Sequence, residues 1–362
     1  MSSHPDESVR HSWRDDASLS VLALGRSLPG DAIDTEELLA RVRLNFNINV
    51  QRRGSAIARR MNIKARYLCR DLRERFESPR PQHTNAALAA DALQRALATA
   101  GMQSRELSYV IAHTATPGQL IPPNVGRIAE LLEYDGPFME LRQACTGFAN
   151  ALIVARGLIA AQPSAVIAIV GSETGSVFFD PLRAAAEDGQ LINMMQMGDG
   201  AAACIVAKTR PHTPRISHLY FGQIGRNRPA GFKLVGGGSD APLPAKGSLE
   251  FEHDYGQVRE SGPDLFRCGA KAARELGVEP QRMDYLLPHQ ANGRMNELLA
   301  SEFEVSAGRI FVNADRVGNT GSAAIWLALC ELSQRMRVDE QALILGAEAT
   351  KHMFGGFLYT HA

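Results

Sequence analysis

Short apolar, β-branched runs alternate along this chain with longer stretches in which apolar positions recur every three or four residues. The first pattern reads as strand and the second as amphipathic helix. Residues 20–26 (SVLALGR), 108–115, 137–142, 165–172 and 201–207 read as strands, the last four of them buried. A helix is expected from Asp34, with Glu37 completing a capping-box-like start, to about Val42, and another over 87–101, closed by Gly101. Residues 222–250 break the alternation with a long Gly- and Pro-rich excursion. It then resumes as helix 262–276, strand 284–288, helix 292–303, strand 309–312, helix 321–336 and strands 342–349 and 354–360. Strand–helix units, a break and more strand–helix units make an α/β protein with two similar halves, 19–209 and 210–362. Residues 1–18 are polar and are expected to form a mobile tail.

Composition narrows the function classes. Lys+Arg and Asp+Glu both number 39 in 362 residues, so the formal net charge is zero and nothing in the balance suggests nucleic acid or an anionic membrane surface as partner. The first residues carry charges and lack the apolar core of a signal peptide, and no run of 18 apolar residues offers a membrane span. The five cysteines are irregularly spaced with no CxxC pair, which argues against a metal site or a disulfide framework and fits a cytoplasmic protein.

One cysteine stands apart. In MELRQACTGFANALIVARGLIAA an apolar strand gives way to a helix whose core positions are Phe148, Leu152, Ala155 and Ile159, and Cys145 sits at the junction. A thiol there meets backbone N–H groups and the positive end of the helix dipole, both of which favour the thiolate. Ala144, Thr146 and Gly147 leave room for a substrate carbonyl. The other cysteines read as structural: Cys330 in a helix, Cys204 in a strand, Cys268 on a core face, and Cys69 after a strand start.

Two further strand–helix junctions carry polar side chains. His289 follows strand 284–288 in LLPHQANGRMNELL, and Asn319 follows Gly318 in VGNTGSAAIWLAL. Loops at the carboxyl ends of strands are where α/β proteins place their chemistry. A lone His is most often a surface or satisfied core residue, and an Asn there is most often an N-cap. Together with a cysteine they form a coherent set. Cys145 would attack a thioester and store its acyl group. The imidazole N–H of His289 and the amide N–H groups of Asn319 would stabilise an enolate oxygen, whose carbon then attacks the stored acyl group. No metal or redox cofactor is needed, only CoA or carrier-protein thioesters as substrates.

These segments, taken in order, resemble the ketoacyl-ACP synthase III family of the thiolase superfamily. NIKARYL (62–68) is similar to an early family segment, ACTGF (144–148) to the active-site cysteine motif, and GSE (171–173) with MGDGAAA (197–203) to the central strand and turn. HQANGR (289–294) and GNTGSAA (318–324) match its histidine and asparagine motifs. The resemblance implies a thiolase fold of five αβαβα layers with two pseudo-equivalent halves, a homodimer, and a pantetheine tunnel leading to the cysteine. It implies an oxyanion hole made by the Cys145 N–H and a glycine-loop N–H, for which Gly346 is the candidate in the altered loop LGAEATKHMFGG (345–356). It places Arg294 where the family binds carrier or CoA phosphate, with Arg183 and Arg60 as companions. No Trp stands near Arg60, and residues 222–250 are long, which points to a specialised relative with a reshaped acyl tunnel.

Two reactions fit this trio. One is Claisen condensation of the Cys145-bound acyl group with a malonyl or β-ketoacyl thioester. The other is transfer of that group to an oxygen or nitrogen nucleophile with His289 as general base. Asn319 favours the first, since simple transfer needs fewer enolate donors. A degradative thiolase would need a second cysteine as base in 345–356, and that segment has none.

Overall fold

The computed structural model describes residues 9, 11–239 and 249–362. In the first half β1 (Trp13–Asp15), β2 (Leu19–Ser27) and β3 (Ile33–Asp34) lead into helices α1 (Thr35–Phe46) and α2 (Gln51–Met61). There follow β4 (Ala65–Arg66), α3 (Asn85–Ala100), β5 (Tyr109–His113), α4 (Asn124–Leu131), β6 (Phe138–Leu141), α5 (Gly147–Ala161) and β7 (Val166–Glu173). Helices α6 (Pro181–Ala186) and α7 (Asp188–Gln196) precede β8 (Gly200–Lys208). The second half holds β9 (Arg215–Gln223), the hairpin β10 (Phe232–Val235) and β11 (Glu250–His253), then α8 (Tyr255–Glu275) and β12 (Tyr285–Pro288). Helices α9 (Met295–Phe303), α10 (Ala314–Val317) and α11 (Ala324–Ser333) and strands β13 (Gln341–Glu348) and β14 (Met353–Thr360) complete it.

The main strands run in the order β12-β13-β14-β9-β2-β8-β7-β5-β6. Pairs β5–β6, β5–β7 and β12–β13 are parallel and the others antiparallel. Strands β2 and β9 meet only through Leu19↔Ile216 and Ser20↔Arg215, so the sheet is two half-sheets joined at one corner. The sequence halves fall on either side of that join.

Alternation along the strands builds the layers. Ile167 and Ile169 of β7, Cys204 and Val206 of β8, Ile344 of β13 and Phe357 of β14 all point into one central cluster with α5 and α11. Their neighbours Ala168, Val170, Ala203 and Ile205 point the other way, onto α3 and α4. On the second half, Leu343, Leu345 and Leu358 point onto α8 and α9. Helices, sheet, central helices, sheet and helices are the five layers. The four positions foreseen for α5 (Phe148, Leu152, Ala155, Ile159) all lie in the central cluster, where Trp326 is fully buried. Burying each such side chain is worth roughly 1.5–3 kcal/mol.

Several expectations change. Residues Trp13–Asp15 are not tail: they pair with Leu219, Tyr220 and Phe221 of β9. Residues 1–8 and 10 of the expected tail lie outside the described residues. Strand β6 is a sheet edge and half-exposed, with Phe138 39% open. No strand forms over 309–312. There the Gln290 side chain takes the backbone hydrogen bonds a strand would use, donating to Phe311 O (3.1 Å) and accepting from Asn313 N (2.8 Å). Helix α8 starts seven residues early (262 − 255), because Asp254 caps it by accepting from Gln257 N at 3.0 Å, with Pro263 inside it. The excursion 222–250 becomes the β10–β11 hairpin, and residues 240–248 lie outside the described residues.

Candidate active site

The three junctions converge. Cys145, His289 and Asn319 line one cavity of about 150 Å³, together with Glu173, Gln196, Ala347, Ala349 and Thr350. Cys145 arrives after β6 and His289 after β12, whereas Asn319, expected at the end of a strand, follows the short helix α10.

Cys145 stands between a closed β6 end and the first turn of α5, with Gly147 N donating to Ala144 O at 3.0 Å. Its side chain is partly open to the cavity. The electrostatics oppose the expected thiolate. Burial first, then the carboxylates of Glu348 and Glu173, push the thiol well above its ordinary range. The helix end that was to favour negative charge is already occupied: Glu348 Oε2 accepts the Thr146 N–H at 2.8 Å and its hydroxyl at 2.7 Å. In the empty site Cys145 is therefore a thiol that must lose its proton during reaction.

His289 is positioned by its own backbone, whose N–H donates to Leu345 O at 2.8 Å across β12–β13. Burial pulls its pKa down to about 4, so the imidazole is neutral near pH 7. Nδ1 is sealed with no partner among the described residues.

Asn319 is delivered by a left-handed glycine. Gly318 has φ +73 and ψ −175, a conformation that only glycine adopts freely. A Cβ on Gly198 across the way would lie 2.0 Å from Val317 O, so this approach is as close as backbone allows. Asn319 N donates to Gln196 O at 2.8 Å and Gly198 N to Asn319 O at 3.0 Å. The side-chain Oδ1 accepts from Gly321 N at 3.1 Å. That assigns the oxygen to the turn and leaves the amide N–H₂ for the cavity. The capping and pocket roles coexist.

Gly346 does not face the cavity. It lies in β13 opposite Gly355, and a Cβ there would meet the Phe148 ring at 2.7 Å. Its glycine is required by packing under α5. The cavity-lining backbone of this region is the turn after β13, at Ala349 and Thr350. The Cys145 N–H, the other expected oxyanion donor, has no backbone acceptor among the described residues.

The arginines separate. Arg294 Nε donates to Arg60 O at 3.0 Å and its Nη1 to Glu297 at 2.7 Å, so Arg60 and Arg294 adjoin on the surface. Arg183 pairs with Glu187, just past the end of α6, at 2.7 Å, with its side chain 15% exposed.

Glu348 and His253 were missed by sequence reasoning. A charged residue inside the apolar run ALILGAEA was the available signal for Glu348, since buried carboxylates require partners. Glu173 is likewise buried, accepting from Ala115 N (2.7 Å) and Thr116 Oγ1 (2.6 Å), and burial raises its pKa against those bonds.

Comparison with known proteins points to one family. The sequence model described as 3-oxoacyl-[acyl-carrier-protein (ACP)] synthase III matches residues 139–225, and that of its C-terminal part matches 273–350. The chain is thus similar to the 3-oxoacyl-ACP synthase III family in both of the parts that these models describe. A β-ketoacyl-[acyl-carrier-protein] synthase III of Rhodospirillum centenum is 27% identical over 94% of this chain and 96% of its own. The relative of the same name from Chlamydia pneumoniae is 27% identical over 77% and 81%. A solved structure described as AbyA1, a tetronic acid condensing enzyme, superposes with TM-score 0.83 at 26% identity, covering 94% of this chain and 99% of that one. The synthase III of Pseudomonas aeruginosa shares the fold, with TM-score 0.76 at 23% identity over 95% and 98%. Among the described residues no helix is long and apolar enough to cross a membrane.

Proposed function

We propose that this synthase III relative takes an acyl group from a CoA or acyl-carrier-protein thioester onto Cys145 and joins it by Claisen condensation to a malonyl or β-ketoacyl thioester. In the first half-reaction the Cys145 sulfur attacks the thioester carbonyl, a new C–S bond forms, and the leaving thiolate takes up a proton equivalent to the one the cysteine lost. In the second, a malonyl donor releases CO₂, or a β-ketoacyl donor releases a proton, to give an enolate. The enolate carbon attacks the acyl carbonyl and the Cys145 thiolate leaves.

The observation that carries this reading is that one cavity is lined by a cysteine, a neutral imidazole and an amide whose oxygen is tied elsewhere. Two neutral donors suit an enolate oxygen, because they stabilise developing charge without protonating it beforehand. Pure acyl transfer would use the imidazole and leave the Asn319 N–H₂ without a task. The likeness to a tetronic acid condensing enzyme supports a specialised product over a housekeeping one. Arg60 and Arg294 are the proposed phosphate contacts, and a homodimer is the proposed assembly.

The test is to supply an acyl thioester with and without a malonyl or β-ketoacyl donor and analyse products by mass. The reading expects a carbon–carbon coupled product, with CO₂ released from a malonyl donor. Esters or amides formed without a carbanion donor would favour the transfer reaction instead.

A further inference from the structure

One wall of the cavity is built by the β10–β11 hairpin and α8. Phe232, Phe251, Val258, Leu265 and Phe266 make it apolar. His253, the last residue of β11, stands among them as a cavity-lining imidazole. Its ring stacks on Tyr255 (centroids 3.7 Å apart, planes at 29°) and meets Phe232 edge-on at 5.0 Å, which fixes its orientation. The hairpin backbone is held in turn by Gln190, whose Nε2 donates to Phe251 O at 2.7 Å.

The network around this ring sets which proton it carries. Nδ1 lies 3.1 Å from Asn193 Oδ1, and the same oxygen accepts the Tyr255 hydroxyl at 2.7 Å. With the Asn193 amide assigned so that its oxygen faces both, Nδ1 bears the hydrogen and Nε2 presents a lone pair. Asn193 is 1% exposed, so water does not compete for that oxygen. Nε2 has no partner among the described residues. The hydroxyl side chains of the cavity are both engaged: Ser261 donates to Gln257 O at 2.7 Å, and Thr350 donates to Glu348. An unsubstituted acyl chain would therefore cover a lone pair in an apolar wall and give it nothing, whereas a substrate O–H would satisfy it.

We propose that His253 selects an acyl group that carries a hydroxyl along its chain, with that O–H donating to Nε2. The proposal rests on the reading that this cavity holds the acyl group destined for Cys145. Selection of this kind is asymmetric: a pocket built to bond a hydroxyl rejects the analogue lacking it more strongly than an apolar pocket rejects an added one.

The experiment measures binding with Cys145→Ala protein, which requires no acyl transfer. CoA thioesters of one chain length are compared in unsubstituted, hydroxylated and keto forms, the hydroxyl being placed at successive carbons. One hydroxyl position is expected to bind about tenfold tighter than the unsubstituted chain, the gain of one good hydrogen bond. Adding His253→Phe should bring the two within about twofold, while His253→Gln, which keeps an acceptor oxygen, should retain part of the preference. Equal binding of all forms, a keto form favoured over every hydroxyl, or a preference that survives His253→Phe would overturn the proposal. Labelling of the unaltered protein by the same thioesters reports on Cys145 separately. Lost labelling with a retained hydroxyl preference would sink the covalent step and leave His253 selection standing.

Discussion

Glu348 accepts both the backbone N–H and the hydroxyl of Thr146, the residue next to the nucleophile, at 2.8 and 2.7 Å. One carboxylate thus ties the start of α5 to the turn after β13, and it does so beside a thiol that negative charge destabilises as thiolate. Glu173 from β7, the neutral His289 after β12 and His253 of β11 are the other titratable groups of the same cavity. Replacing Glu348 by Gln keeps an acceptor oxygen and removes the charge. The thiol should then ionise at lower pH, read as a leftward shift in the pH dependence of Cys145 alkylation by iodoacetamide. The same change should cost about 1–3 kcal/mol of stability, since a Gln that keeps the oxygen facing Thr146 leaves the Thr350 hydroxyl, which donates to Oε1, without its acceptor. An unmoved alkylation profile would remove Glu348 from the electrostatics of the site.

Asn319→Asp separates the two tasks of that side chain. Aspartate still accepts from Gly321 N, as Asn319 Oδ1 does at 3.1 Å, but offers no N–H₂. Acyl loading should stay within about twofold, while condensation falls by about 10²–10³, the usual effect of losing one preorganised oxyanion donor. Condensation at the unaltered rate would remove Asn319 from enolate stabilisation.

Gly346→Ala tests where that glycine acts. A methyl would sit 2.7 Å from the Phe148 ring and 2.8 Å from Gly355 O. The expected result is overpacking worth about 1–3 kcal/mol, seen as a lower Tm, with acyl loading per folded molecule little changed. A normal Tm with abolished loading would return Gly346 to the oxyanion hole.

Two buried imidazoles and one half-buried imidazole make the protein acid-sensitive. Burial draws His113 to about 3 and His253 and His289 to about 4. An unfolded chain binds their protons at about 6.5. Between those values the unfolded state holds more protons, so stability contributed by the neutral rings is present above about pH 6.5 and lost as pH falls toward 4. Tm should drop across that window, and His253→Phe should flatten the drop. A constant Tm from pH 6.5 to 4 would contradict the burial described.

Much of this was legible in the chain because local chemistry and fold agree. Helix α3 is announced by its apolar period and by Gly101, which takes the left-handed conformation at its end, while the Thr84 cap starts it two residues earlier than the pattern placed it. Cys145 and His289 are each marked by a strand-to-helix change and Asn319 by the turn at Gly318, and the fold brings all three to one cavity. What the pattern concealed depended on distant partners. The apolar run 309–312 pairs with β12 only at Ile310, because the Gln290 side chain takes the next backbone groups, a tertiary bond that no periodicity reports. Gly346 looked like a loop glycine, yet its position is dictated by Phe148, almost two hundred residues earlier (346 − 148). The thiolate expected at the start of α5 failed for the same reason. The helix end was real, and a carboxylate from β13 had already claimed it. His253 reaches the cavity only because β10 and β11 pair across a long Gly- and Pro-rich connection.

Intact-protein mass after brief exposure to an acyl-CoA or acyl carrier protein tests the central claim most directly. The account predicts a single acyl adduct on the unaltered protein, mapped to the peptide containing Cys145, and none on Cys145→Ala. An adduct of equal yield on Cys145→Ala, or one that maps to any of the other four cysteines, would contradict it.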